Sequence, residues 1–484
     1  MKKAVNHSLG KHILSIGMGT IIYMIVGFIG TPIITRLVDP TDYGRMSMLS
    51  VYSSFGMMLC GLGLDQALVR FFYHEEELEY KRKLLRTCCN YSVLALCILS
   101  VFCYVYFAVA VRFNFSYSQP YELLLLLLNV VVLLLNRYVM LTVRLLYKTK
   151  AYSVINITQK TLYILIVVVL VLNTNIEHFI CLAAAMIIST VIAIAMGIGI
   201  NYKLWFGKCE TVMLPYGNRA LLKYGFPLML SSGISVIFNA LDKLALNRYC
   251  SISDVGVYAS AMNIMAVFSV VKTSFTALWL PAAIEHYESN PNNRVFYQKG
   301  NAVISCIMII MGAGVVLCKD LFVLLLGNKY IDAATIIPFL MFEPIMYTIS
   351  ESTASGIAIC KKSGYQVIVT SGACILNLFG NMILTPRWGG QGAALSTAIS
   401  YILFFVLRTG LSNRVFMVDY HLKRFAILTL ILFAFACYGS QSTFSWTYLL
   451  FFGAICSMTF LSYRKYVMEI IRKAKQIVME RIKK

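Results

Sequence analysis

A chain of 484 residues that is 59% hydrophobic and only 13% charged departs from a soluble domain, which carries about 45–50% apolar and about 25% charged residues. Water is excluded as its main solvent, and with short loops the length leaves room for about fourteen spanning helices of ~20 residues each. A net charge of +21 points to Lys and Arg gathered in cytoplasmic loops rather than to nucleic acid, which needs a soluble basic face.

The chain begins with a basic, polar stretch, MKKAVNHSLGKH. The apolar run behind it is too long for the h-region of a signal peptide and ends without a small-residue cleavage site, so it reads as a retained first span. Apolar runs then place spans at 13–35, 44–72, 87–111, 121–143, 152–173, 178–201, 225–247, 255–284, 300–318, 333–358, 364–385, 390–407, 425–439 and 444–463. These are helices, since backbone polar groups in lipid are satisfied within their own segment. Barrel strands would alternate in short stretches instead. LFVLLLG at 321–327 is a candidate extension of the ninth span. The cysteines, among them Cys97, Cys103, Cys306, Cys318 and Cys456, lie in apolar runs without metal-like spacing and read as small buried hydrophobes.

Orientation follows from the cations. With a cytoplasmic N-terminus, the inside segments carry Lys2, Lys3 and Lys11; Lys81, Arg82, Lys83 and Arg86; Arg144, Lys148 and Lys150; Lys203, Lys208, Arg219 and Lys223. Arg294, Lys299, Lys361, Lys362, Arg408, Arg414, Lys423 and Arg424 continue the series, and the C-terminal tail adds more. The outside segments carry Arg36, Arg45, Arg112, Arg248, Lys319, Lys329 and Arg387. Roughly thirty against about seven is the asymmetry of the positive-inside rule, with both termini cytoplasmic. The longest loop, 202–224, has no room for a soluble catalytic domain. The tail sets Val467, Ile470, Ile471, Ala474, Val478 and Ile482 on one helical face against Lys and Arg, as an interfacial helix on the inner leaflet does.

An internal repeat appears at an offset of about 212 residues, where RLVDPTDYG at 36–44 lies over RYCSISDVG at 248–256. Arg36 meets Arg248, Asp42 meets Asp254 and Gly44 meets Gly256, each between two spans. Six spans in each half make a parallel repeat, a plan found in transporters. The expected organisation is a six-helix lobe over 1–212, a second over 213–422, two extra spans over 423–463 and the basic tail 464–484. Each Asp is placed to cap the following helix and each Gly to permit close packing. Each Arg can snorkel or turn toward a cavity.

These stretches carry a resemblance. TPIITRLVDPTDYG at 31–44 resembles the first span and outer loop of the Wzx-type polysaccharide-synthesis flippases, relatives of MurJ and the MATE exporters. KYGFPLMLSSGISVIFNALDKLALNRYCSISDVGVYASA at 223–261 is similar to that family's seventh span, and GGQGAALSTAIS at 389–400 to its twelfth. The resemblance implies an all-α integral membrane fold, with two pseudo-symmetric six-helix lobes around a central cavity plus two C-terminal helices. It implies a bacterial plasma membrane location and a polyprenyl-diphosphate-linked oligosaccharide as cargo, moved from inner to outer leaflet by alternating access. Membrane lipids, a polysaccharide polymerase and the export machinery are the implied partners. No cofactor, catalytic group or nucleic acid is implied.

Ionisable groups within spans are costly and are functional candidates by default. These are Arg137, Asp242, Lys243, Lys272, Glu343 and Glu351; Asp65, Arg70 and Lys160, nearer the span ends, read as snorkelling. A cavity lined by Arg137, Lys243 and Lys272, with Arg36 and Arg248 at its outer rim and Asp242 beside Lys243, suits a diphosphate. Tyr23, Asn239, Asn263 and Trp279 are candidates for the sugars. Glu343, before Pro344 in mid-span, and Glu351 are candidates for Na+ or H+ coupling, and the Glu343-Pro344 pair for a hinge. Mutual pairing of these charges is the structural alternative. Two other functions share the architecture. A MATE-type cation-coupled multidrug exporter needs an acidic or aromatic cavity, and a polytopic polymerase needs acid, base or nucleophile at the outer face, where no loop gathers His with carboxylates and His178 is the lone histidine.

Overall fold

A computed structural model describes residues 2–112, 120–207 and 217–482, with side chains for 17–105, 121–207, 217–466 and 468. Arg112, Lys208 and the tail face from Val467 to Ile482 lie outside the described side chains. The described chain divides into two compact units, Met1–Ala240 and Leu241–Lys484.

In unit 1, α1 (Lys2–Leu37) lies along α6 (Thr149–Asn173), α6 along α7 (His178–Ile200), and α7 along α5 (Pro120–Leu145). Helices α2 (Pro40–Gly61) and α3 (Leu64–Phe71) form a broken span bent by 52°. The break has a local cause: Leu62 and Gly63 both take left-handed φ, 48° and 68°. A Cβ on Gly63 would overlap the Gly225 carbonyl, so this close approach and this φ both call for glycine. Between α3, α4 (Leu78–Arg112) and α5, a core of Leu64, Leu68, Phe72, Leu84, Cys88, Tyr138 and Leu141 closes.

The two ends of this unit differ chemically. At one, Arg82 and Arg86 donate to Lys203 O and Gly207 O, each at 2.8 Å, closing the end of α8 (Tyr202–Phe206). Lys148 donates to Ile200 O at the end of α7 at 2.7 Å. Cations suit helix C-termini, where carbonyls are left unpaired. Arg82, expected in an inside loop, is therefore buried. At the opposite end of α7, Arg45 near the start of α2 reaches Glu122 at 2.7 Å, Glu177 at 3.4 Å and Asp42 at 3.5 Å. Its guanidinium lies 4.3 Å from the centre of the Phe179 ring. Glu122 and Glu177 sit at the N-terminal ends of α5 and α7, where negative charge is favoured.

Helix α9 (Gly217–Tyr249) leads into unit 2, which continues with α10 (Ile252–Met265), α11 (Ser269–Ser289), α12 (Val295–Leu317) and α13 (Lys319–Leu326). The expected tenth span is three pieces: α14 (Ala333–Leu340), α15 (Phe342–Thr353) and α16 (Ser355–Ile359). Pro344 explains the first interruption, because it has no N–H for the Leu340 carbonyl. The last helices are α17 (Gly364–Val415), α18 (Leu422–Gln441) and α19 (Trp446–Ile482).

The 52 residues of α17 would measure about 78 Å if straight, against a hydrocarbon core of ~30 Å. The chain instead folds back at Gly389, whose φ of 53° and ψ of −132° are not helical. Gly392 lies against the backbone of Leu384 and Thr385, and Asn377 on the first arm meets Ser396 and Thr397 on the second. The arms are thus antiparallel neighbours. Among the described residues, twelve helices are long and apolar enough to cross a membrane, or up to thirteen with the bent α2–α3 pair as one span. About fourteen were expected. The difference from thirteen lies in α17, which counts once here and was divided at 385–390 in the sequence, and the difference from twelve also in the bent α2–α3 pair.

The repeat motif is used differently in the two halves. Ser251 and Asp254 form a reciprocal capping box at the start of α10. Asp42, the counterpart of Asp254, ion-pairs with Arg45 instead. Arg36 and Arg248 both sit in the last turn of their helices and are exposed, and Gly44 and Gly256 are both buried. Many leucines and phenylalanines remain exposed, Leu278 at 68% for example. That is the ordinary state of a helix face against lipid, which is as apolar as the side chain itself.

Candidate functional site

Unit 2 collects most of the sequence candidates, in two groups. The first is built around Asp242, near the end of α9 and only 6% exposed. Its carboxylate accepts from Tyr258 and Thr397 hydroxyls at 2.5 Å each, from Asn381 Nδ2 at 2.7 Å and from Asn377 Nδ2 at 3.2 Å. The donors come from α10 and from both arms of α17. Asn377, Asn381 and Thr385 recur every four residues and so share one helical stripe, with Thr385 donating to Asn381 Oδ1 at 2.8 Å. All four groups that donate to Asp242 are neutral. A carboxylate deep among helices is tolerable only when its oxygens are satisfied in this way. Lys243, next along α9, is partly buried.

The second group alternates charges with an aromatic ring. Lys272 of α11 approaches Glu343 of α15 at 3.4 Å, and its ammonium lies 3.9 Å from the centre of the Tyr347 ring. One turn on, Glu351 accepts from Arg408 at 2.9 Å, and Arg408 also donates to Ser350 Oγ at 2.9 Å. Arg408 lies 5.4 Å from the same Tyr347 ring, which stacks on Phe404 at 5.7 Å. Two cations thus lie over the one ring, whose face attracts positive charge. Lys272 and Glu343 keep 22% and 28% of their side-chain surface, whereas Arg408 and Glu351 keep 10% each. The outer pair can meet a ligand; the inner pair is structural in character. Arg408 was counted with an inside loop in the sequence. It is instead a buried helix residue, because Glu351 sits opposite it.

Unit 1 holds the remaining candidates. Arg137 of α5 donates through Nε and Nη2 to Asp65 Oδ2, at 3.1 and 2.7 Å. Nearly half of its side chain, 48%, stays exposed, so one face remains open to a further acceptor. Asp65, read as snorkelling, is the partner of Arg137. Tyr23 and Asn239 are exposed, as is Asn263 in unit 2. Trp279 is buried, and its indole N–H donates to Ser355 at 3.0 Å, so it is not displayed for sugars. Lys319, expected outside, is 2% exposed and pairs with Asp320 at 2.6 Å, while Asp320 accepts from Phe444 N at 2.9 Å.

Sequence reasoning singled out Asp242 but not its cage, and counted Arg408 with the loops. The signal for the cage was the stripe Asn377, Asn381, Thr385 in an otherwise apolar run. The signal for Arg408 was its position only one residue past the expected end of a span.

A family model described as polysaccharide biosynthesis protein matches residues 9–287, more than half of the chain. Curated relatives include an uncharacterized membrane protein of Methanocaldococcus jannaschii, 23% identical over 233 residues, or 47% of this chain and 45% of the relative. A probable low-salt glycan biosynthesis flippase of Haloferax volcanii is 21% identical over 192 residues, or 39% of this chain and 41% of the relative. The chain thus spans rather less than half the length of either. Among solved structures, the lipid II flippase MurJ in an inward closed conformation aligns with a TM-score of 0.69 at 15% identity, covering 94% of this chain and 99% of the other. An inward-facing MATE multidrug transporter of the MOP superfamily aligns with a TM-score of 0.56 at 15% identity, covering 83% and 97%. The family match and the shared fold agree with the multi-pass helices described above, and the chain belongs to the polysaccharide biosynthesis protein family, on the membrane fold common to MurJ and the MATE transporters.

Proposed function

We propose that this protein is a lipid-linked oligosaccharide flippase, which carries a polyprenyl-diphosphate-linked glycan unit from the inner to the outer leaflet by alternating access. The family match over residues 9–287 carries the reading, and the partly open cations give it chemistry. Arg137 in unit 1 and Lys272 in unit 2 each hold a carboxylate yet keep surface to spare. A diphosphate leaving water needs such donors, and it can compete with the resident carboxylate for them. Lys243, Arg36 and Arg248 are further cations on its path. The polyprenyl chain stays in lipid.

Asp242 is the proposed coupling group, loaded by Na+ or H+. Glu343 and Glu351, which the sequence offered for coupling, each hold a cation of the protein itself, whereas the donors to Asp242, which the sequence assigned to the diphosphate cavity, are neutral. A proton or a cation would neutralise it. The proposed topology has both termini in the cytoplasm of a bacterium. Arg82, Arg86 and Lys148 at one end of unit 1, against Arg45 at the other, support that orientation. The polymerase and the export machinery of the same surface polysaccharide are the proposed partners.

The test is to delete the gene and locate the lipid-linked unit. Accumulation on the inner leaflet supports a flippase, and accumulation on the outer leaflet points to a polymerase. A second reading, a cation-coupled exporter of cationic compounds, is favoured by one observation, the buried acid Asp242. Export of cationic dyes by the purified protein in vesicles, with no movement of lipid-linked glycan, would establish it instead.

A further inference from the structure

At one end of unit 2 the turn after α11, the turn after α16 and the segment between α17 and α18 come together. Trp279 stacks between Phe275 and Phe296, at 5.4 Å from each, and His286 stacks on Phe296 at 4.2 Å. Tyr297 meets Phe416 edge-on at 5.1 Å, and Tyr420, Val418 and Cys360 pack on the same cluster. Against these rings lies Arg294, its guanidinium carbon 3.6 Å from the centre of Phe416. The ring face holds the charge, but it satisfies none of the N–H groups.

Three polar atoms of this cluster are buried with no hydrogen-bond partner among the described residues: Arg294 Nη1, Tyr420 Oη and His286 Nε2. Tyr297 differs, since its hydroxyl donates to Ala283 O at 2.8 Å. Tyr420 is 5% exposed. Burial raises the pKa of its hydroxyl while the nearby Arg294 charge pulls it down, so it remains a neutral donor beside a cation. Buried donors normally have acceptors, and here Arg294 Nη1 and the Tyr420 hydroxyl, packed on the same Phe416 cluster, have none among the described residues. Lys361 and Lys362 directly follow Cys360, and Arg414, Lys423 and Arg424 flank the 416–421 segment. The one acid within that segment, Asp419, lies 3.3 Å from His421. Glu285 and Glu288 flank His286, so the five flanking cations outnumber three acids, a balance that favours anions.

We propose that Arg294 and Tyr420 form a binding site for a phosphate-class anion, separate from the charges assigned to cargo and coupling. The guanidinium fork matches phosphate oxygens, the phenol supplies a further donor, and Phe416 fixes the plane of the guanidinium. The same chemistry is offered by the phosphodiester of an anionic phospholipid and by free phosphate.

The experiment uses the full-length chain, purified in a neutral detergent, and titrates inorganic phosphate and short-chain phosphatidylglycerol separately. At least one binds saturably. Arg294→Gln weakens that binding by about tenfold or more, as loss of a charge-assisted hydrogen bond does, and Tyr420→Phe weakens it severalfold. Tyr420→Phe keeps the ring packing and removes an unsatisfied hydroxyl, so it folds as the wild type does and carries the test if Arg294→Gln does not fold. Binding of phosphate as tightly as of the lipid assigns the site to the free anion; binding of the lipid alone assigns it to a headgroup. No binding of either, or equal binding in both variants because the orphaned atoms hold only water, overturns the proposal.

Discussion

A charge inside an apolar helix must find a counter-charge or enough hydrogen bonds. Arg408 and Glu351 take the first course, and Asp242 takes the second. Removing one member of a buried pair leaves the other uncompensated and costs about 3–5 kcal/mol. Arg408→Met and Glu351→Gln alone should therefore each lower the melting temperature in detergent markedly. The double variant should recover much of the loss, and equal losses that simply add would show that the pair is not coupled. Asp242→Asn replaces an acceptor pair by one oxygen and one amide, and so turns a donor against the Asn381, Thr397 or Tyr258 donors. A loss of about 1–3 kcal/mol is expected, with ion-driven transport falling far more than cargo binding. Transport unchanged in Asp242→Asn, with or without an ion gradient, would remove Asp242 from the coupling role. At this scale the sequence was legible for residue type and not for pairing. Asp65 and Arg137 are 72 residues apart, and Glu351 and Arg408 are 57. Nothing local announces such partners.

Elements were more legible, because long apolar runs identify helices whatever their neighbours are. The interruption at Met341 lies just before the Glu343-Pro344 pair that the sequence offers as a hinge. What escaped was the break at Leu62-Gly63 in α2–α3, which follows from backbone chemistry that hydropathy does not register. The two left-handed glycines Gly63 and Gly389 separate backbone strain from packing. Nothing lies within 4 Å of a Cβ built on Gly389, so Gly389→Ala should cost only the backbone strain of its φ of 53° and ψ of −132°, about 1–3 kcal/mol. Gly63→Ala carries the milder strain of a left-handed φ but drives a methyl into the Gly225 carbonyl, and it should lower expression and melting temperature much further. Comparable melting of the two variants would show that α3 and α9 do not make this close approach. Asn377, Asn381 and Thr385 belong to the same scale. Their spacing of four is a helical stripe in the sequence, but only the fold-back of α17 brings Thr397 to the same carboxylate.

For the whole molecule, membrane character, approximate span positions and family resemblance were all open to reading from composition, Lys/Arg placement and a few motifs. Cargo was not. Each unit carries one partly open cation, Arg137 on α5 and Lys272 on α11, and each is proposed to meet the anionic head group during transport. Flipping of a fluorescent polyprenyl-diphosphate-linked glycan in vesicles containing the purified protein tests this most directly, with wild type, Arg137→Ala and Lys272→Ala compared at equal protein content. The account predicts movement to the opposite leaflet by the wild type and near-complete loss in both variants. Wild-type rates in both variants, or no movement of the glycan lipid by the wild type, would contradict it.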